Sequence, residues 1–184
     1  TFRGEITPLM MAIITDGSQP IGNGVGPLLE ARDVMLVLKN DPKAPQDLKE
    51  KCIMMASILF KLSGKIKNPK KKAKEVLENG AALKKMQEII KTQGPAKKKY
   101  RLGEYKHHVY SNKTGTIKEI DNEAIAKIAR TGGAPSDKGA GIFLYKKVGD
   151  KIKKDEALFT IYTHNQSKLE FAKQVLKKKR PYKI

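Results

Sequence analysis

The residues best placed to do chemistry stand in one glycine-rich run, Asp16-Gly17-Ser18-Gln19-Pro20-Ile21-Gly22-Asn23-Gly24-Val25-Gly26, between a short apolar stretch and a helix signal at Pro27. A strand, a glycine loop and a helix N-terminus together bind phosphate when free backbone N–H groups and the helix dipole face the anion. The run lacks the Gly-Lys-Ser/Thr of a Walker loop. Gly22, Gly24 and Gly26 alternate, without the third glycine that a dinucleotide fingerprint needs. The spacing leaves two readings open, a tight turn and a ligand-contacting loop. Asp16 stands at the carboxyl end of the apolar stretch, where open α/β sheets place ligands; its other reading is a carboxylate that orders the loop.

Glu30 and Asp33 lie three apart and share a helix face. They read as a cation site combined with loop carbonyls or as a solvated face serving Arg32. His107 and His108 are adjacent, so on a strand they point to opposite sides and cannot chelate together. His164 stands alone in a loop, and Cys52 falls on an apolar helical face as a small core residue. No nucleophile–histidine–acid set, paired catalytic carboxylates or metal-ligand cluster is legible. One cysteine excludes a disulfide framework and a cysteine-based zinc site.

These residues need elements to hold them. Pro8–Ile14 reads as a strand buried on both faces, as in a parallel sheet. Pro27 opens a helix with Leu28, Ala31, Met35 and Leu38 on its inner face. A second helix starts near Pro45, carries Leu48, Cys52, Ala56, Leu59 and Phe60, and stops at Gly64. Asn68 caps a third, with Pro69 at its first position, and a fourth spans Ala81–Lys91. Further on, His107–Ser111 and Gly115–Ile120 read as a hairpin through Asn112-Lys113-Thr114. Asp121 caps a helix ending near Thr131. Ile142–Val148 and Ala157–Thr163 are strands, with a turn at Gly149-Asp150-Lys151. Ser167 and Glu170 form a capping box for a helix through Leu176, and Arg180–Ile184 adds an edge strand. The expected organisation is an α/β segment with a parallel-sheet strand over residues 1–94, a linker over 95–106, and an α+β domain over 107–184.

The chain has 184 residues, with 38 Lys+Arg against 19 Asp+Glu, a net charge of +19. That excess suggests nucleic acid. Its placement argues against it. Residues 1–64 hold 7 basic and 7 acidic residues, residues 65–106 hold 14 and 4, and residues 107–184 hold 17 and 8. The charge is mostly lysine, not the planar arginine fork that reads bases. Tyr100 and Tyr105 beside the Lys97–Lys99 run are too few for a stacking platform. A solvated lysine surface is the reading preferred over a nucleic-acid-binding module. The apolar stretch at Leu9–Ile14 is far too short to span a membrane. No signal-peptide pattern is present, so a cytoplasmic protein is expected.

The run from Ile14 through Val34 resembles the thymidine/pyrimidine nucleoside phosphorylase family and is most similar to its archaeal AMP phosphorylase branch. A second block agrees: Thr114–Ile117, Ile120–Ile125, Gly133–Ile142, Val148–Ile152 and Leu158–Ile161 resemble the family's C-terminal domain. The resemblance covers nearly the whole chain. It implies the end of the active-site α/β domain followed by a C-terminal domain of α/β-hammerhead type. It also implies that the phosphate-binding and base-holding motifs lie upstream of the first block.

The activity so implied is phosphorolysis of an N-glycosidic bond. AMP and inorganic phosphate as co-substrate would give adenine and ribose 1,5-bisphosphate, with a pyrimidine nucleoside phosphorylase as the alternative. Closure over both substrates would catalyse by positioning and electrostatics. The 184-residue chain alone is expected to be inactive. Asp16, Gly17, Ser18, Gln19, Gly22 and Gly24 would form a loop beside the substrates. By position, Ile21, Gly24 and Asp33 match the family's monovalent-cation ligands, with Asp33 in place of the usual glutamate. A homo-oligomer of the full-length protein is expected, and a rival reading makes the C-terminal domain chiefly an assembly element that links subunits. Val148–Ile152 looks like a biotinyl or lipoyl hairpin, but the Met-Lys-Met or Asp-Lys-Ala of a swinging-arm carrier is missing.

Overall fold

The computed structural model describes residues 11–94 and 99–184. Among them lie six helices and eight short strands. The chain enters through β1 (Gly24–Val25) and four helices, α1 (Pro27–Leu38), α2 (Gln46–Leu62), α3 (Pro69–Glu78) and α4 (Ala81–Gln93). Then follow β2 (Tyr105–Tyr110), β3 (Gly115–Thr116), β4 (Glu119–Ile120), α5 (Asn122–Thr131) and β5 (Gly141–Leu144). The chain closes with β6 (Lys151–Ile152), β7 (Ala157–Thr163), α6 (Gln166–Lys179) and β8 (Tyr182–Lys183).

The main sheet has the order β1-β5-β7-β2, and every pairing in it is antiparallel. Two ribbons, β3–β6 and β4–β8, flank it. β7 is the spine, with Leu158, Phe159, Thr160, Ile161 and Thr163 all buried. The core contains Ile142 and Leu144 from β5, Ile125 and Ile128 from α5, and Leu169 and Ala172 from α6. The Asp121 side chain caps α5 by accepting the Ala124 amide at 2.9 Å. Burying Ile125 and Ile128 fixes that helix more firmly than propensity does, at roughly 2 kcal/mol for each side chain.

The helical layer is looser. α2 and α4 contain no fully buried residue, and the small core there is Val37, Ala44 and Leu77. An apolar groove of about 180 Å³ runs between the helices, with Val34, Cys52, Phe60 and Val76 on its walls. The Asn68 cap on α3 forms as expected, its side chain accepting the Lys71 amide at 3.2 Å.

Several expectations are corrected. Met11–Ile14 form no strand and are exposed, Ile14 completely; Pro8–Met10 lie outside the described residues. A strand buried on both faces needs hydrogen-bonded neighbours on both edges, and no described strand runs beside this segment. The inner face of α1 is Leu29, Asp33 and Val37, while Ala31 is exposed. Counting Asp33 as an outward residue turned the predicted face, and the structure turns that carboxylate inward. Cys52 is exposed.

The β2–β3 hairpin does not form. β2 pairs with β7, and β3 with β6, because β7 offers a long apolar edge that two-residue β3 cannot match. The cap of α6 is Asn165, not Ser167; its side chain accepts the Lys168 amide at 2.9 Å, where an Asx cap competes well with serine. The terminal edge strand is present as β8, paired with β4. Lys97 and Lys98 of the lysine run lie outside the described residues.

Candidate functional site

The glycine-rich run is held by side chains from both halves of the chain. Asp16 accepts the Ser18 amide at 2.8 Å, and this bond holds its carboxyl below the usual carboxylate range. Its own carbonyl accepts from Lys51 Nζ at 3.0 Å. The Gly17 carbonyl accepts from Asn122 Nδ2 at 2.6 Å. Gln19 Oε1 accepts the Val148 amide at 2.8 Å, and the Pro20 carbonyl accepts from Lys147 Nζ. A cleft of about 490 Å³ lies between this stretch and α2, bordered by Asp16, Gln19, Asp47, Glu50 and Lys51.

The next residues answer the phosphate question. The Gly22 amide donates to Asp47 Oδ2 at 3.2 Å. The Asn23 and Gly24 amides both donate to Asp33 Oδ2, each at 2.7 Å. The Gly26 amide donates to Glu30 Oε1 at 2.8 Å. Three carboxylates therefore occupy four N–H groups that an anion-binding loop would offer. An anion entering here meets negative charge where the loop geometry alone promised donors.

The glycines answer to tight contacts. Gly22 has φ +70°, and a Cβ there would stand 2.9 Å from Asp33 Oδ2. A Cβ on Gly26, at φ +121°, would stand 2.5 Å from the Ala140 carbonyl oxygen. The loop is thus pressed onto the segment before β5. Gly24 pairs with Phe143 and Val25 with Ile142. The Leu144 amide donates to the Asn23 carbonyl at 2.7 Å, and the Leu28 amide to the Lys138 carbonyl at 3.2 Å.

Glu30 and Asp33 serve different loop amides and do not share a site. Asp33 is 2% exposed, and its second oxygen, Oδ1, is buried without a hydrogen-bond partner. The Arg32 guanidinium lies 3.9 Å from that oxygen and sits over the Phe143 ring at 4.3 Å. Ile21 is 38% exposed, and Gly24 is committed to β1. Among the described residues no group of three His, Cys, Asp or Glu side chains is placed to hold a metal.

The histidines find partners that spacing did not reveal. His164 Nδ1 lies 3.0 Å from both oxygens of Asp137. His108 Nδ1 bonds the buried Thr160 hydroxyl at 2.8 Å, and Thr160 also contacts Tyr145 OH at 2.9 Å. Burial, with Lys173 next, lowers the His107 pKa. Reasoning from the sequence missed Asp47 and Lys147 as loop partners. Glu30 carried a signal: an acid four residues beyond a glycine cap reaches back to its amide, much as a capping box does.

Residues 116–183 match the family model described as pyrimidine nucleoside phosphorylase C-terminal domain. The chain carries the C-terminal domain of the pyrimidine nucleoside phosphorylase family. Three bacterial relatives bear the name "Putative thymidine phosphorylase". The one from Rhodopseudomonas palustris (strain BisA53) is 49% identical over 162 residues, covering 87% of this chain and 32% of the relative. That from Bradyrhizobium sp. (strain BTAi1) is 46% identical over 174 residues, covering 93% and 34%. That from Legionella pneumophila (strain Corby) is 41% identical over 177 residues, covering 95% and 34%. The chain spans about a third of the length of these relatives. Asn122, Leu144, Lys147 and Val148, which bond the glycine-rich loop, all fall within the phosphorylase C-terminal domain. The domain is therefore the frame against which the loop is set. No described helix is long and apolar enough to cross a membrane.

Proposed function

We propose that the natural protein is a phosphorylase of the thymidine/pyrimidine nucleoside type. It breaks the N-glycosidic bond of a nucleoside, forms a bond from C1′ to an oxygen of inorganic phosphate, and releases the base with a proton. The observation that carries this reading is the 41–49% identity, over 87–95% of this chain, to proteins named for thymidine phosphorylase. In this reading the chain supplies a loop bordering the substrate cleft and the α/β-hammerhead-type domain that braces it. With the loop amides of Gly22, Asn23, Gly24 and Gly26 bonded to carboxylates, phosphate is held by other parts of the protein.

An AMP-directed phosphorylase is the second reading, favoured by the resemblance of Ile14–Val34 to the archaeal AMP branch. The bacterial relatives and their names favour the nucleoside reading over it. The deciding experiment incubates the full natural chain with phosphate and thymidine, uridine or AMP, and measures free base by chromatography. Thymine or uracil release is expected. Adenine from AMP alone would reverse the order, and no base from any of them would overturn both. The 184-residue chain is expected to release none by itself.

A monovalent cation at the Ile21 and Gly24 carbonyls and Asp33 belongs to the same proposal. Its support is the buried, unbonded Asp33 Oδ1. Potassium should then raise the unfolding temperature of the wild-type chain and leave that of Asp33→Asn unchanged. A homo-oligomeric, cytoplasmic protein completes the reading. Solution mass with and without residues 95–184 tests whether the C-terminal domain assembles it.

A further inference from the structure

The loop and the C-terminal domain meet at a charged contact between Lys147 and Asp47. Lys147 follows β5 in the turn that leads to β6. Its Nζ is 3.0 Å from Asp47 Oδ2 on α2 and also donates to the Pro20 carbonyl. The same Asp47 oxygen accepts the Gly22 amide at 3.2 Å. One ammonium and one carboxylate thus fix the loop at both Pro20 and Gly22. Val148, the next residue, adds a bond from its amide to Gln19 Oε1 at 2.8 Å.

The base of this pin is rigid. The Lys147 amide donates to Asp150 Oδ2 at 2.8 Å, and the Lys146 carbonyl accepts from Tyr182 OH at 2.9 Å. The Lys147 side chain is only 20% exposed, and that of Asp47 is 35% exposed. The neighbouring Lys146–Glu156 pair is about as closed, at 24% and 37%, whereas Lys183–Glu119 is open, at 69% and 50%. A half-buried pair that also bonds two backbone groups holds geometry better than a solvated pair. Lysine suits the place, since it has three donors around one charge and two of them are used here.

We infer that Lys147 is a positioning residue: acting through Asp47 and the Pro20 carbonyl, it sets the glycine-rich loop against the C-terminal domain, and so sets the wall of the substrate cleft. The effect on the reaction rests on the function proposed above; the pin itself does not. The test therefore has two arms. In the 184-residue chain, amide hydrogen exchange over residues 17–24 is compared between wild type, Lys147→Met, Asp47→Asn and the double variant. Exchange at Gly22 should rise about tenfold in Lys147→Met, with the double variant little worse than either single one. The α5 and β7 amides should keep their protection, which separates loop release from general unfolding. Unchanged exchange at Gly22 would overturn the pin.

In the full natural chain, phosphorolysis is measured for the same variants and for Lys147→Arg. Lys147→Met should lower kcat/KM about tenfold, mainly through KM, and Lys147→Arg should recover part of it. A loosened loop with unaltered kinetics would overturn the positioning role while leaving the family function intact. A wild-type chain that releases no base is the distinct failure of the proposed function, and the positioning role in the reaction falls with it.

Discussion

Asp33 Oδ2 lies 2.7 Å from the Gly24 amide nitrogen, so a carboxylate on the inner face of α1 closes the loop from which that helix starts. The same oxygen takes the Asn23 amide, and the residue is 2% exposed. A buried charge persists where hydrogen bonds replace its water. Asp33→Ala leaves one buried and one half-buried amide without acceptors and should cost about 2–4 kcal/mol. Urea unfolding checks the magnitude. Asp33→Asn keeps an acceptor and should lose less.

Asp137 should shape the acid limb of stability. Burial opposes its charge, but the Gly139 amide and His164 outweigh burial and hold its carboxyl below the usual carboxylate range. A depressed folded pKa favours folding above the unfolded value, and that contribution disappears as pH falls through the folded one. Stability should therefore decline below about pH 4 partly through this residue. Asp137→Asn should flatten the decline. A midpoint-against-pH series on both proteins that shows the same slope would refute the assignment.

Gly139 and Gly103 let one segment pass another at a distance no side chain permits. A Cβ on Gly139 would stand 2.1 Å from the Arg101 carbonyl oxygen, and one on Gly103 would stand 2.2 Å from the Thr163 carbonyl carbon. Gly139→Ala should destabilise by at least about 2 kcal/mol, because the nearest colliding atom is backbone and cannot rotate away. Thermal unfolding provides the measurement, with Gly149→Ala as a contrast. Gly149 has open space around it and only its φ of +93° to strain.

The cap of α6 separates a sequence expectation from the structure. Asn165→Ala should cost about 1 kcal/mol, and Ser167→Ala less than about half of that. The reverse order in denaturant midpoints would restore the capping box.

What the sequence made legible was local. Pro27 at the first turn of α1, the Asn68 and Asp121 caps, the span of β7 and the closing edge strand all follow from neighbouring residues. What escaped was non-local. The apolar run ending at Ile14 looks like a strand, yet hydropathy alone supplies no pairing partner, and the described part of the run is exposed. Proximity in sequence pairs β2 with β3, whereas its ladder partner β7 lies beyond α5 and β5. Asp33 has the composition of a surface residue. Only the loop amides, brought by a turn of the backbone, reveal why it faces inward. Lys147 is not legible in the sequence, because a lysine among 33 lysines carries no signal until its partners are known.

Strand β1 has a further consequence for how the protein comes into being. It precedes the four helices, yet its partner among the described strands, β5, lies near the middle of the C-terminal domain. During synthesis the glycine-rich segment leaves the ribosome early and must wait, edge unpaired, until residues 141–144 emerge. A messenger truncated after α4 would deliver the loop without its frame, so correct placement of the loop reports that translation has passed well into the final domain.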